Sequence, residues 1–336
     1  MMQRRQMMRL GLGLGLSTGL GTGLGTNVLA LAPENLVWQE RSLVGFGTTL
    51  WIKAAHNDAG RLLQALDESI KAIRMVEQQM SLFDTDSAVS RLNRLGELQK
   101  PAADLVSVLT LAQHVSRRSA GAFDVTMQPL WNLWSLHSQT QTMPSFKALS
   151  QTRSLVNWQA LSVSPELVRL NIKGMGVSLN GIAQGYAADK VRAVLQSHGV
   201  QHALIDTGET TLLGQSPRGE DWRFAPEPSA ASTVTPPVIT PHGWALATSS
   251  DAHTVFSADH VHHHILNPHT GDSPTYWSTV SVIAPSCAMA DALTKVFFMC
   301  PPQVVERMAK AWGVGVVLQN KRGEWLSRLQ KPTSLA

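Results

Sequence analysis

Asp291 and Lys295 stand four residues apart, a spacing that stacks a carboxylate and an ammonium on one face of a helix. On the surface such a pair is worth roughly a few tenths of a kcal/mol. Facing inward, beside an anionic ligand, the ammonium must point away from any bound divalent ion or take its place. Gly181 and Gly185 open a predicted helix. They either let a phosphate group approach backbone donors or let a neighbouring element pack closely. His260, His262, His263, His264 and His269 crowd into one stretch. They offer a transition-metal site or a solvated hairpin, and consecutive strand residues face opposite ways, so at most some of them converge.

These residues need elements to hold them. Apolar Leu62, Leu63, Leu66, Ile70, Ile73 and Val76 form a helical stripe over 58–80. Further helices are expected at 86–95, 102–119 and 182–198, the last ended by Gly199 in the left-handed region. A strand with a bulge at Gly45 and Gly47 is expected over 42–54. Short strands are expected at 203–206, 244–247, 264–266, 279–284 and 314–318. Helices and strands mix without regular βαβ alternation, which makes the class α+β. Between 225 and 243, Pro226, Pro228, Pro236, Pro237 and Pro241 exclude a helix or an inner strand, so this stretch reads as a surface loop within a single domain spanning 33–336.

The chain has 336 residues, 43% hydrophobic and 15% charged, a balance for which neither disorder nor a membrane bundle is the default reading. Its net charge of +4 is concentrated at the start, where residues 1–32 hold Arg4, Arg5 and Arg9 and no acid. Without those three of the 28 basic residues, 25 stand against 24 acidic ones, which argues against a polyanionic partner such as nucleic acid. Cys287 and Cys300 are too few for a disulfide scaffold. Adjacent arginines before a Gly-diluted apolar stretch, with small residues at Ala30 and Ala32, resemble a twin-arginine export signal. Periplasmic location follows, and no later apolar run is long enough to span a membrane.

Five blocks then follow in order: Gly45 to Leu50; Met80 to Asn93; Gly121 to Trp134; Leu179 to Asp189; and a composite of Ala247 to Asp251, His264 to Gly271 and Ala290 to Leu293. In order and spacing they resemble the FAD:protein FMN transferases, which move FMN from FAD onto a Thr or Ser hydroxyl of a partner protein. Certain exported relatives serve the maturation of nitrous oxide reductase systems. The resemblance implies a compact mixed fold built around an FAD site. Phe46, Phe83, Ala122, Phe123 and Asp124 would lie at the flavin end, with Ser178, Gly181, Gln184 and Ser249 around the rest of the cofactor. His264 would serve as the base for the acceptor hydroxyl. Gly181, Asp291 and the residue at 295 would form a magnesium site that neutralises charge on the phosphates.

The sequence departs from that pattern where it bears on chemistry. Ser178 replaces a usual Asp, Gln184 a Lys or Glu, and Glu209 lies in a turn usually like Gly-Gly-Asp. Lys295 replaces the Thr or Ala expected as third metal ligand. These changes leave two other functions open: an FAD-binding or flavin-delivery protein without catalysis, and a His-rich metal-binding protein.

Overall fold

The computed structural model describes residues 36–229, 232–252 and 254–335, so the export signal read at 1–32 lies outside the described residues. Strands β1 (Val37–Gly45) and β2 (Thr48–His56) form a hairpin rather than one bulged strand. The turn residues Phe46 and Gly47 both have positive φ, 49° and 75°, the two-residue turn whose twist matches paired strands. Phe46 is held in that unusual conformation because its N–H donates to Glu77 Oε1 at 2.7 Å.

Helix α1 (Ala59–Met80) starts at the cap Asp58, whose side chain accepts from the Arg61 N–H, and buries Leu62, Leu66, Ile73 and Val76. Next come α2 (Ala88–Leu95), β3 (Glu97–Gln99), α3 (Ala103–Arg118), α4 (Gln128–Gln139) and α5 (Phe146–Arg153). Strands β4 (Leu161–Val163) and β5 (Leu167–Leu170) join β3 in a small sheet. Helix α6 (Ala183–Ser197) precedes β6 (His202–Asp206), β7 (Thr210–Leu213), β8 (Ile239–Thr240), β9 (Ala245–Ser250) and β10 (Trp277–Ala284). Helices α7 (Cys287–Phe298) and α8 (Val305–Trp312) lead into β11 (Gly315–Asn320), β12 (Trp325–Arg328) and β13 (Ser334–Leu335).

Eight strands form one antiparallel sheet in the order β1-β2-β6-β7-β9-β10-β11-β12. This is the mixed α+β class expected from the sequence. All eight residues of β10 are buried, so both faces of the sheet are covered there. Val280, Val282 and Ala284 share a core with Ala288, Leu293 and Val296 of α7. On the alternate face, Ile283 packs with Leu246, Val317, Phe224 and Ile239. The Pro-rich stretch is therefore more than a surface loop: its end forms β8, paired with β13, and buries Ile239 completely. Its prolines keep it off the main sheet while the apolar residue at its end seals that sheet.

No strand forms at 264–266. Only an isolated bridge joins Val255 to His263, and Ile265 and Leu266 are buried by packing rather than by pairing. Helices α4 and α5 carry weaker stripes than α1, and α8 is only eight residues long; none of the three was expected from the sequence. No described helix is long and apolar enough to cross a membrane.

Candidate active site

The crossing of α6 and α7 assembles the chemistry. A Cβ on Gly185 would lie 2.4 Å from the Cys287 carbonyl oxygen and 2.8 Å from the Ala288 nitrogen, so a side chain there would overlap the backbone of α7. Gly185 is thus a packing glycine, not an opening for a ligand. Asp189, one turn further along α6, caps α7: its oxygens accept from Cys287 N–H, Ala288 N–H and Ser286 Oγ at 2.8 to 2.9 Å. Burial pushes its carboxyl above the usual range, while those donors pull it back. The sequence reading gave Asp189 no role; an acid four residues after a helical glycine is the signal that marks it.

Held in this way, α7 presents Asp291, whose side chain is 1% exposed. Lys295 Nζ lies 2.6 Å from Asp291 Oδ1 and 3.2 Å from the Asp291 carbonyl. The pair is therefore buried on the acid side, not a surface ion pair. Gly185 N–H approaches the other oxygen, Oδ2, at 3.4 Å. A Cβ on Gly181 would come within 3.0 Å of Lys295 Cε, so the absent side chain at 181 is what gives the lysine stem its path. Gly181, Asp291 and Lys295 are brought together as the sequence suggested.

Around them, Thr294 Oγ1 is 2.7 Å from Ser249 Oγ and donates to the Asp291 carbonyl, tying the end of β9 to α7. Gln184 lies against Gly208, whose φ of 93° and lack of Cβ admit the amide, and its carbonyl accepts from Thr207 Oγ1 at 2.7 Å. Glu209 is 5% exposed and accepts from Thr248 N–H at 2.8 Å, which makes it a brace between two strands. Ser178 is backbone-bonded to Val125 at 2.8 Å. That contact joins the segment before α6 to the block holding Phe123 and Asp124.

Phe123 is 5% exposed and lies in the main core, and Ala122 packs against the same cluster. Asp124 accepts from Thr126 N–H and Oγ1 at 2.7 Å and from Trp158 N–H at 3.0 Å. Its acceptors are engaged by the protein itself, and burial raises its pKa. Phe123 is thus a core residue and Asp124 organises its own loop, where the resemblance implied a flavin contact for both. Phe46 bridges the two largest core clusters, whereas Phe83 is 59% exposed beyond the end of α1.

The histidines separate. His262 Nδ1 is 2.7 Å from Asp272 Oδ1 and its ring stacks on Trp134 at 4.7 Å. His263 is buried against Phe298 of α7, with ring centroids 6.2 Å apart, and burial lowers its pKa to about 4. His264 turns its Nδ1 toward the Thr254 carbonyl at 3.2 Å. Among the described residues no group of three or more His, Cys, Asp or Glu comes together to hold a metal. The transition-metal reading of the cluster is thereby overturned, because alternate residues are drawn to separate partners.

The three-residue magnesium set fares no better. An ammonium 2.6 Å from Asp291 Oδ1 and covering Gly181 occupies the side of the carboxylate that a divalent ion would need, and a like charge there repels it. The residues present do not fit a divalent cation.

The sequence profile of the ApbE family matches residues 46–318, and the chain belongs to that family. It is 31% identical over 257 residues to an FAD:protein FMN transferase of Vibrio cholerae, covering 74% of this chain and 77% of that protein. A Klebsiella pneumoniae protein of the same description is 25% identical, covering 75% and 76%. Among solved structures, the flavin transferase ApbE from Vibrio cholerae superposes with a TM-score of 0.76 at 25% identity, over 88% of this chain and 98% of that one. The apo Pseudomonas stutzeri flavinyl transferase ApbE also gives 0.76, at 26% identity, over 90% and 97%.

Proposed function

We propose that this chain is an FAD:protein FMN transferase acting on a Thr or Ser of a periplasmic or membrane partner, and that it reaches the periplasm through the twin-arginine route. The observation that carries the reading is the convergence of Gly181, Asp291 and Lys295 at the α6–α7 crossing in a member of this family. In the reaction the acceptor oxygen attacks the FMN-side phosphorus of FAD. The P–O bond to the AMP phosphate breaks, and AMP leaves with the electron pair. The hydroxyl proton passes to His264, the one histidine of the cluster read as a base.

Catalysis then rests on placing a hydroxyl in line with the phosphorus and on meeting charge that builds on phosphate oxygens. Phe46, Phe83 and Ala122 border the flavin end, and Ser249 and Gln184 support the wall near α7. No step is routed through magnesium, since the residues present do not fit it. The test is to follow AMP release from FAD with and without an acceptor domain that carries flavin on threonine. AMP release that depends on the acceptor hydroxyl supports transfer. Tight FAD binding without AMP release would make this a flavin-delivery protein instead.

A further inference from the structure

We propose that Lys295 is itself the cation that meets the FAD pyrophosphate, so that this chain needs no divalent ion; the inference rests on the transferase reading above. Three observations converge on it. Asp291 is a buried carboxylate whose Oδ1 is neutralised by the ammonium at 2.6 Å. A second contact at 3.2 Å to the Asp291 carbonyl fixes the head group in place. The lysine stem runs over Gly181, where an added Cβ would lie 3.0 Å from Cε and press on the stem.

The ammonium has three donors, and the two contacts to Asp291 use two of them. The third is left on the partly exposed side, since the lysine side chain is 22% exposed and its partner 1%. A third donor on a fixed ammonium suits a phosphate oxygen. Asp291 therefore orients the lysine instead of ligating a metal. In the transfer Lys295 acts as a fixed positive charge that stabilises the charge developing as the P–O bond to AMP breaks. A divalent ion cannot share Asp291 unless the lysine swings away.

The experiment compares the natural protein with Lys295→Thr and Lys295→Ala, each loaded with FAD, in EDTA and in millimolar magnesium. Magnesium binding is measured separately by titration calorimetry in the absence of FAD. The natural protein should show less than a twofold change in FAD affinity and AMP release with chelator, and no magnesium heat. Lys295→Thr, which offers a hydroxyl oxygen beside a freed carboxylate, should bind magnesium and depend on it. Lys295→Ala should lose at least tenfold in AMP release. Chelator abolishing FAD binding or AMP release by the natural protein, or saturable magnesium binding to it, would overturn the proposal. If the natural protein never transfers flavin, the transferase reading fails, and the calorimetry still decides whether Lys295 excludes the metal.

Discussion

Gly185→Ala is the sharpest test of how the site is held. The added Cβ would lie 2.4, 2.7 and 2.8 Å from three backbone atoms of Cys287 and Ala288. No side chain can rotate out of the way, so α7 must retreat by about 1 Å to reach ordinary contact. Overpacking of this kind costs about 1–3 kcal/mol, and the helix preference for Ala over Gly returns about 0.5–1 kcal/mol. The expected net loss is about 1–2 kcal/mol, a fall in Tm of roughly 2–3 °C for a domain of this size. The retreat also lengthens the Asp189 bonds to Cys287 and Ala288 and carries Asp291 and Lys295 with it. FAD affinity should therefore fall together with Tm. Melting followed by circular dichroism, with flavin titration on the folded protein, checks both. A variant as stable as the natural protein, with unchanged FAD affinity, would refute the close α6–α7 contact.

Asp124→Ala should cost about 2–4 kcal/mol in urea denaturation, because Thr126 and Trp158 N–H groups lose their buried acceptor; a loss below about 1 kcal/mol would show that the carboxylate does not hold the loop. His263, with its pKa lowered from 6.5 to about 4 by burial, takes up protons more readily unfolded than folded between those values. Stability should therefore be intact above about pH 6.5 and fall as pH drops toward 4, by about 2 kcal/mol between pH 7.5 and 5. His263→Gln should flatten that slope in denaturation curves taken across the range, and an equal slope in both proteins would discard the assignment. Cys287 is fully buried with its thiol pushed up, and Cys300 is raised to about 11. Neither should react with an aromatic disulfide reagent until the protein is unfolded, and rapid labelling of the native protein would contradict the packing of α7.

Long stripes were legible in the sequence. Helices α1, α3 and α6 lie within two residues of their expected bounds, because 3.6-residue periodicity and caps such as Asp58 act locally. The hairpin at Gly45 to Gly47 was misread as a bulge, since a Phe in the left-handed region is held there by Glu77, thirty-one residues away. Strand spacing at 264–266 misled for a related reason: Ile265 and Leu266 are apolar because they are buried, and no neighbouring strand reaches them. At the site, Gly181, Asp291 and Lys295 were legible as a group through their spacing and the family pattern. Whether Lys295 faced inward was not, because that depends on α6 lying close enough for Gly181 to cover its stem. Gly185 and Asp189 escaped notice as a pair for the same reason: both act on the backbone of a helix about a hundred residues away.

The most direct measurement of the central claim is the intact mass of an acceptor domain after incubation with this protein and FAD, beside an acceptor whose flavin-bearing Thr is replaced by Val. The account predicts an FMN increment on the first acceptor and none on the second, with one AMP released per modified chain, and loss of the increment in His264→Ala. An unmodified Thr acceptor, with FAD bound and intact, would contradict it.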